Sequence, residues 1–232
     1  MKLKKFFTMA AIALFAVSCS NNAELAKDES TSLGSKSIEN LDASAYGKWV
    51  YINLKTGQTQ QYNDTGAWIY TDGSESSEKD SPTIDMEWHI AIHRYEIKTN
   101  DGEAYDTKTQ NFASVTFLPE NVTWTKDQTV SYESQQGKDV AEPLTVITDM
   151  TKMMEGKVGY SKDPVLNTVL CDWVDKVETG SMPPIIYTPT KNVLIVKFAD
   201  GNWTKLQFTT AGNTETNASG FVSFKYEFFT AE

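Results

Sequence analysis

The 232-residue chain reads as a mostly β protein with room for a short helix, and three observations carry that reading. Val193–Phe198 (VLIVKF) and Trp203–Phe208 (WTKLQF) are two strand-like runs joined by the turn Ala199-Asp200-Gly201-Asn202, the pattern of a β-hairpin. Gly220–Phe229 (GFVSFKYEFF) alternates, imperfectly, between Phe221, Ser223, Lys225, Glu227 and Val222, Phe224, Tyr226, Phe228. Glu87–Thr99 contains a strand, because Ile90, Ile92, Tyr95 and Ile97 sit among branched and aromatic neighbours.

Taken in order, the chain opens with Lys2, Lys4 and Lys5, then an apolar run from Phe6 to Val17, then Ser18 and Cys19. Residues 1–18 read as a secretory signal, too short to span a bilayer as a stable helix. Small residues ahead of Cys19 look like a bacterial lipobox, although Leu is usual where Ala16 stands. The expectation is lipidation at Cys19; the bland alternative is an ordinary cleaved signal. Residues 19–40, rich in Ser, Asn, Glu, Asp and Lys, read as a lipidated flexible tether. Residues 41–232 then form a single domain.

Within that domain, Trp49–Leu54 (WVYINL) begins the β pattern and Lys55-Thr56-Gly57 turns it. Ala67–Tyr70 is a short strand, Thr71–Pro82 a polar loop and Asn100-Asp101-Gly102 a turn. Ala113–Leu118 and Gln128–Tyr132 are further strand candidates. Asp163–Val177 is the exception. Asp163-Pro164 resembles a helix start, and Val165, Val169, Trp173 and Val177 recur at intervals of four. The spacing predicts a short amphipathic helix; a strand across Thr168–Val177 is its competitor.

Net charge is −10, and removal of the signal with its three lysines makes the mature chain more acidic still. That argues against nucleic acid and against a basic membrane face, leaving a lipid anchor as the membrane contact. An anionic ligand would need local contacts, apolar burial or metal ligation. Cys171, the one cysteine left after Cys19, reads as a small buried hydrophobe. No G-x-S-x-G, H-E-x-x-H, P-loop or C-x-x-C motif is present, so the chain is not expected to be an enzyme.

The two histidines, His89 and His93, invite a metal reading that strand geometry opposes. Four residues along a strand span about 13 Å. Two donors to one metal must lie within roughly 4–5 Å, given bonds of about 2.0–2.3 Å. Both are read as structural.

Two segments carry a family resemblance. Trp88, His89, Ile90, Ala91, Ile92, His93, Arg94 and Tyr95, followed by Thr99 and Asn100, are similar to the strand motif W-D-I-A-x-H-R-Y…T-N of the HmuY family of haem-binding surface lipoproteins. His89 departs from it by replacing Asp. The stretch Thr179–Phe208, with Tyr187-Thr188-Pro189 and the Ala199-Asp200-Gly201 hairpin, resembles the same family. The resemblance implies a mostly antiparallel β fold with one or two short helices and a ligand site between loops at one end. It implies binding of haem b (iron protoporphyrin IX). It also implies delivery to a TonB-dependent outer-membrane receptor, with host haemoproteins as a source.

Family members use two His or two Met as iron ligands, and this chain has no His after position 93. Aligned on the family, the second ligand loop falls at Gly180–Pro184, where Met182 is the donor. The first falls at Asp149–Gly159, with Met154 the first choice, Met153 the second and Met150 the third. Thioether sulfur is a soft, neutral donor, and Met ligation raises the haem potential. Trp173, Tyr160, Ile185, Ile186 and Tyr187 are candidate apolar walls, and Lys152, Lys157 or Lys176 candidate propionate partners. The expected location is the outer membrane, at the cell surface or released from it. The competing class is a carbohydrate-binding or adhesive surface lipoprotein, with Trp49, Trp68, Trp124 and Trp203 as stacking platforms. Core packing is the plainer role for each of those four.

Overall fold

The computed structural model describes residues 30–130, 144–181 and 185–231. It opens with β1 (Ser30–Asp42), followed by β2 (Lys48–Ile52), β3 (Thr59–Asn63) and β4 (Trp68–Tyr70). After the polar loop come β5 (Ile90–His93), β6 (Glu96–Thr99) and β7 (Glu103–Asp106). Five short strands follow: β8 (Thr125–Lys126), β9 (Gln128–Thr129), β10 (Ile147–Asp149), β11 (Gly159–Ser161) and β12 (Val165–Leu166). A single helical turn, α1 (Thr168–Cys171), precedes β13 (Val174–Glu178) and β14 (Ile185–Pro189). The chain closes with β15 (Leu194–Lys197), β16 (Trp203–Thr210) and β17 (Phe221–Ala231).

These strands build a mostly antiparallel fold, as expected. One sheet runs β1-β17-β16-β15-β7-β8 and another β3-β2-β5-β6; β10-β11-β4 forms a third, and β12-β9 and β13-β14 pair separately. The two larger sheets face each other across the main core. Val50, Ile52, Ile90, Ile92 and Ile97 meet Leu194, Val196, Leu206, Phe208, Val222, Phe224, Tyr226 and Phe228 there. Strand alternation sends Trp49 and Tyr51 to the opposite face of β2, where they join Ala91, Leu166 and Cys171 in a second cluster.

Four expectations are corrected. Residues 30–40, assigned to the tether, belong to β1, which pairs antiparallel with β17 along its length. The polar composition misleads because β1 is an edge strand: its backbone hydrogen bonds fix it, and only Ile38 and Leu41 pack on the core. Residues 1–29, with Cys19, lie outside the described residues. The helix expected over Asp163–Val177 shrinks to α1. Asn167 caps that turn by accepting from Leu170 N–H at 3.1 Å, and the chain then re-enters a ladder in which Val174 faces Pro189 and Val177 faces Ile186. An interval of four is an even number, so it satisfies strand alternation as well as a helical face. Ala113–Leu118 is not a strand; Phe112–Ser114 is a 3-10 turn. Glu87–Thr99 does contain a strand, β5, and the chain then turns back as β6 to make a hairpin, with Arg94 in the left-handed region at φ 52°. Of Gln128–Tyr132, only Gln128–Thr129 forms a strand, and residues 131–132 lie outside the described residues.

Candidate functional site

β4 supplies two rings to one face. Trp68 and Tyr70 are two residues apart on a strand, so both turn inward while Ile69 turns away. β4 pairs with β11, placing Tyr70 opposite Gly159 and Trp68 opposite Ser161. The Trp68 indole lies over Gly159, where a Cβ would stand 2.6 Å from Cδ1 and 3.0 Å from Nε1. Only glycine leaves room for the ring.

Around Trp68 and Tyr70 opens a cavity of about 760 Å³, within the range of small-molecule sites. Its wall comes from separate stretches of chain: Tyr46 just before β2 and Lys48 at its start, the loop at Glu75–Glu78, and Asp149 to Lys152 at the end of β10 and just beyond it. Met150 lines it and is half-buried. Burial pushes the Asp149 carboxyl up, but hydrogen bonds from the Tyr70 hydroxyl at 2.7 Å and Thr151 N–H at 2.8 Å, with Lys152 nearby, hold it below the usual carboxylate range. Lys152 Nζ sits 4.5 Å from the Tyr70 ring centroid.

The other methionines are placed differently. Met153 and Met154 form a 3-10 turn ended by Gly156 in the left-handed region. Met154 is 92 % exposed and Met153 51 %. Neither lines the cavity. Met182 lies outside the described residues, in the segment joining β13 to β14. Tyr187 is half-buried on β14, stacked on Tyr95 at 3.9 Å, and burial pushes its phenol up to about 12. It does not border the cavity. Lys157 pairs with Asp72 at 2.7 Å. Trp173 is a core residue that donates its indole N–H to Tyr95 O at 2.9 Å.

Both histidines serve the fold. His89 accepts from Leu54 N–H at Nδ1 (3.2 Å) and meets Phe198 and Phe228 edge-on. His93, 1 % exposed, lies 3.0 Å from Glu96 through Nδ1 and 2.8 Å from Tyr46 O through Nε2. Among the described residues no cluster of three or more His, Cys, Asp or Glu could hold a metal, and no helix is long and apolar enough to cross a membrane. Trp49, Trp68 and Trp203 are buried, so none offers a free face for sugar stacking. Trp124 is half-buried, with Lys197 Nζ 4.4 Å from its ring centroid.

Tyr46 and Tyr70 were not singled out from sequence, and Trp68 was named for another purpose. The usable signal was local: Trp68-Ile69-Tyr70 is a period-2 aromatic pair between Gly66 and a polar loop.

The profile of the HmuY protein family matches residues 45–226. The apo HmuY analogue TFO of Tannerella forsythia superposes with a TM-score of 0.69 at 34% identity, covering 87% of this chain and 97% of that one. Apo PinO from Porphyromonas gingivitis gives 0.66 at 24% identity over 86% and 99% of the two chains, a likeness of fold. An HmuY-like protein of Bacteroides vulgatus gives 0.59 at 26% identity, over 86% and 91%. No curated protein matches the chain by sequence.

Proposed function

Because this chain belongs to the HmuY family, we propose that it binds haem as a surface lipoprotein and is not an enzyme. On this reading Cys19 carries the lipid, and haem captured outside the cell, with host haemoproteins as a source, passes to a TonB-dependent outer-membrane receptor. The observation that carries the proposal is the wall of the cavity. A thioether, Met150, stands beside three aromatic residues, Tyr46, Trp68 and Tyr70, in a space of about 760 Å³.

The donor chemistry suits haem. A thioether needs no deprotonation and prefers the softer ferrous iron. Met182 is proposed as one axial ligand. The other comes from the Met150–Met154 stretch. Its position in the wall favours Met150; Met154 and Met153 would have to turn inward from an exposed turn. Lys48 and Lys152 in the same wall offer positive charge to propionates.

Titration of the domain beginning at Ser30 with haem, oxidised and dithionite-reduced, tests this. Saturable low-spin bands at one equivalent, sharper when reduced and lost in Met182→Ala, support the proposal. Spectra matching free haem in both states sink it and bring the adhesive or carbohydrate-binding class forward; a glycan array then separates those two.

A further inference from the structure

The buried tryptophans treat their indole N–H groups differently. Trp173 donates to Tyr95 O at 2.9 Å and Trp203 to Ser30 Oγ at 3.0 Å. Trp68 is only 7 % exposed, yet its Nε1 has no hydrogen-bond partner among the described residues. A buried donor is almost always paired, because leaving it unpaired forfeits its hydration without return. The orphan also lies in a telling place. Trp68 is part of the cavity wall, its pyrrole edge resting over Gly159, and Asp149, one residue before Met150, packs on the same glycine.

The charges of the wall indicate what would answer that donor. Lys48 and Lys152 line the cavity, and neither forms an ion pair among the described residues. Of the acids in the wall, Glu75 is paired with Lys162 at 3.0 Å, and Asp149 already accepts from Tyr70 and Thr151. Glu78 and Asp80 belong to the loop side of the cavity. The orphaned N–H calls for an oxygen acceptor, and Lys48, with Lys152 over the Tyr70 ring, stands in the same wall to favour one that carries negative charge.

We infer that Trp68 is a positioning residue whose indole N–H donates to a carboxylate of the cavity's ligand. This rests on the haem reading, which makes that carboxylate a propionate. The contact would hold that carboxylate at the Trp68 side of the cavity and so orient the ligand within it.

Full-length protein, wild type and Trp68→Phe, is titrated with haem and with haem dimethyl ester, whose propionates cannot bear charge. Loss of ring area in W68F weakens both probes alike, so the haem-to-ester affinity ratio isolates the hydrogen bond. The ratio should fall about tenfold in W68F, the size of a hydrogen bond to a charged group. An unchanged ratio overturns the inference while leaving haem binding intact. Wild-type protein that binds neither probe overturns the haem reading and this inference with it. If W68F does not fold, wild type alone still decides. The Trp68 indole N–H must exchange more slowly with deuterated solvent once metal-free protoporphyrin IX, which keeps both carboxylates, is bound. Unaltered exchange in the saturated complex refutes the contact.

Discussion

The Trp68 indole and the Gly159 backbone are in such close contact that a methyl group at Gly159 would stand 2.6 Å from Cδ1. No left-handed backbone is involved, so the constraint is purely one of space. Gly159→Ala must push the indole outward or part β4 from β11. Overpacking of this kind costs about 1–3 kcal/mol. Urea unfolding should show that loss, and haem titration should show weakened binding, because the displaced ring belongs to the cavity wall.

Met150 and Met154 should separate cleanly on substitution. Met154→Ala removes an exposed side chain and is expected to change stability by less than about 0.5 kcal/mol. Met150→Ala should weaken haem binding by roughly tenfold or more, the scale on which metal sites suffer when a supporting group is lost. The reverse ranking in a haem titration would return the ligand role to Met154.

A site with thioether ligands should hold haem at nearly constant affinity from about pH 7.5 down to about pH 5, since no ligand proton competes with iron. Imidazole ligation would instead fade below about pH 6.5. Parallel titrations of Met182→His and wild type, read across that interval, distinguish the two behaviours. A wild-type affinity that falls with the variant's would exclude methionine ligation.

His89 makes the fold itself sensitive to acid. Burial lowers its pKa below 6.5, and its Nδ1 accepts a hydrogen bond from Leu54 N–H, which requires an unprotonated nitrogen there. The unfolded chain therefore binds a proton more readily than the folded one. Stability from this residue is complete above about pH 6.5 and drains away as pH falls through the lower folded value. Asn at position 89 can accept the same bond without titrating. Urea midpoints at about pH 7.5 and pH 5 should differ more for wild type than for His89→Asn; equal differences would remove His89 from the account.

A chain started at Leu41 should be less stable than one started at Ser30. The shorter form loses most of β1, uncovers the edge of β17 and removes the Ser30 acceptor from buried Trp203. An open edge strand also invites association between copies. Size-exclusion chromatography and thermal melting of the two forms check both effects; identical behaviour would make β1 dispensable.

Hairpins were legible in the sequence because their signals are local. Val193–Phe208 shows its alternation and its turn within sixteen consecutive residues, and the structure pairs Leu194 with Leu206 as that pattern demands. β1 was illegible for the opposite reason. Its partner β17 is at the far end of the chain, and an edge strand carries few apolar residues to announce itself. Asp163–Val177 failed because its spacing suits two periods at once. The methionines mark the limit most clearly. Sequence alignment brought a stretch of chain to the site, but which thioether faces the cavity depends on one 3-10 turn that carries Met153 and Met154 outward.

The docking of β1 also sets a distance. With Ser30 held in the sheet, only residues 20–29 separate the ordered strand from Cys19. Ten residues cannot reach beyond about 36 Å even when drawn straight. A lipid on Cys19 would therefore keep the body of the protein within about one domain's width of the bilayer. On the proposed function, a receptor would then have to meet the protein at the membrane surface.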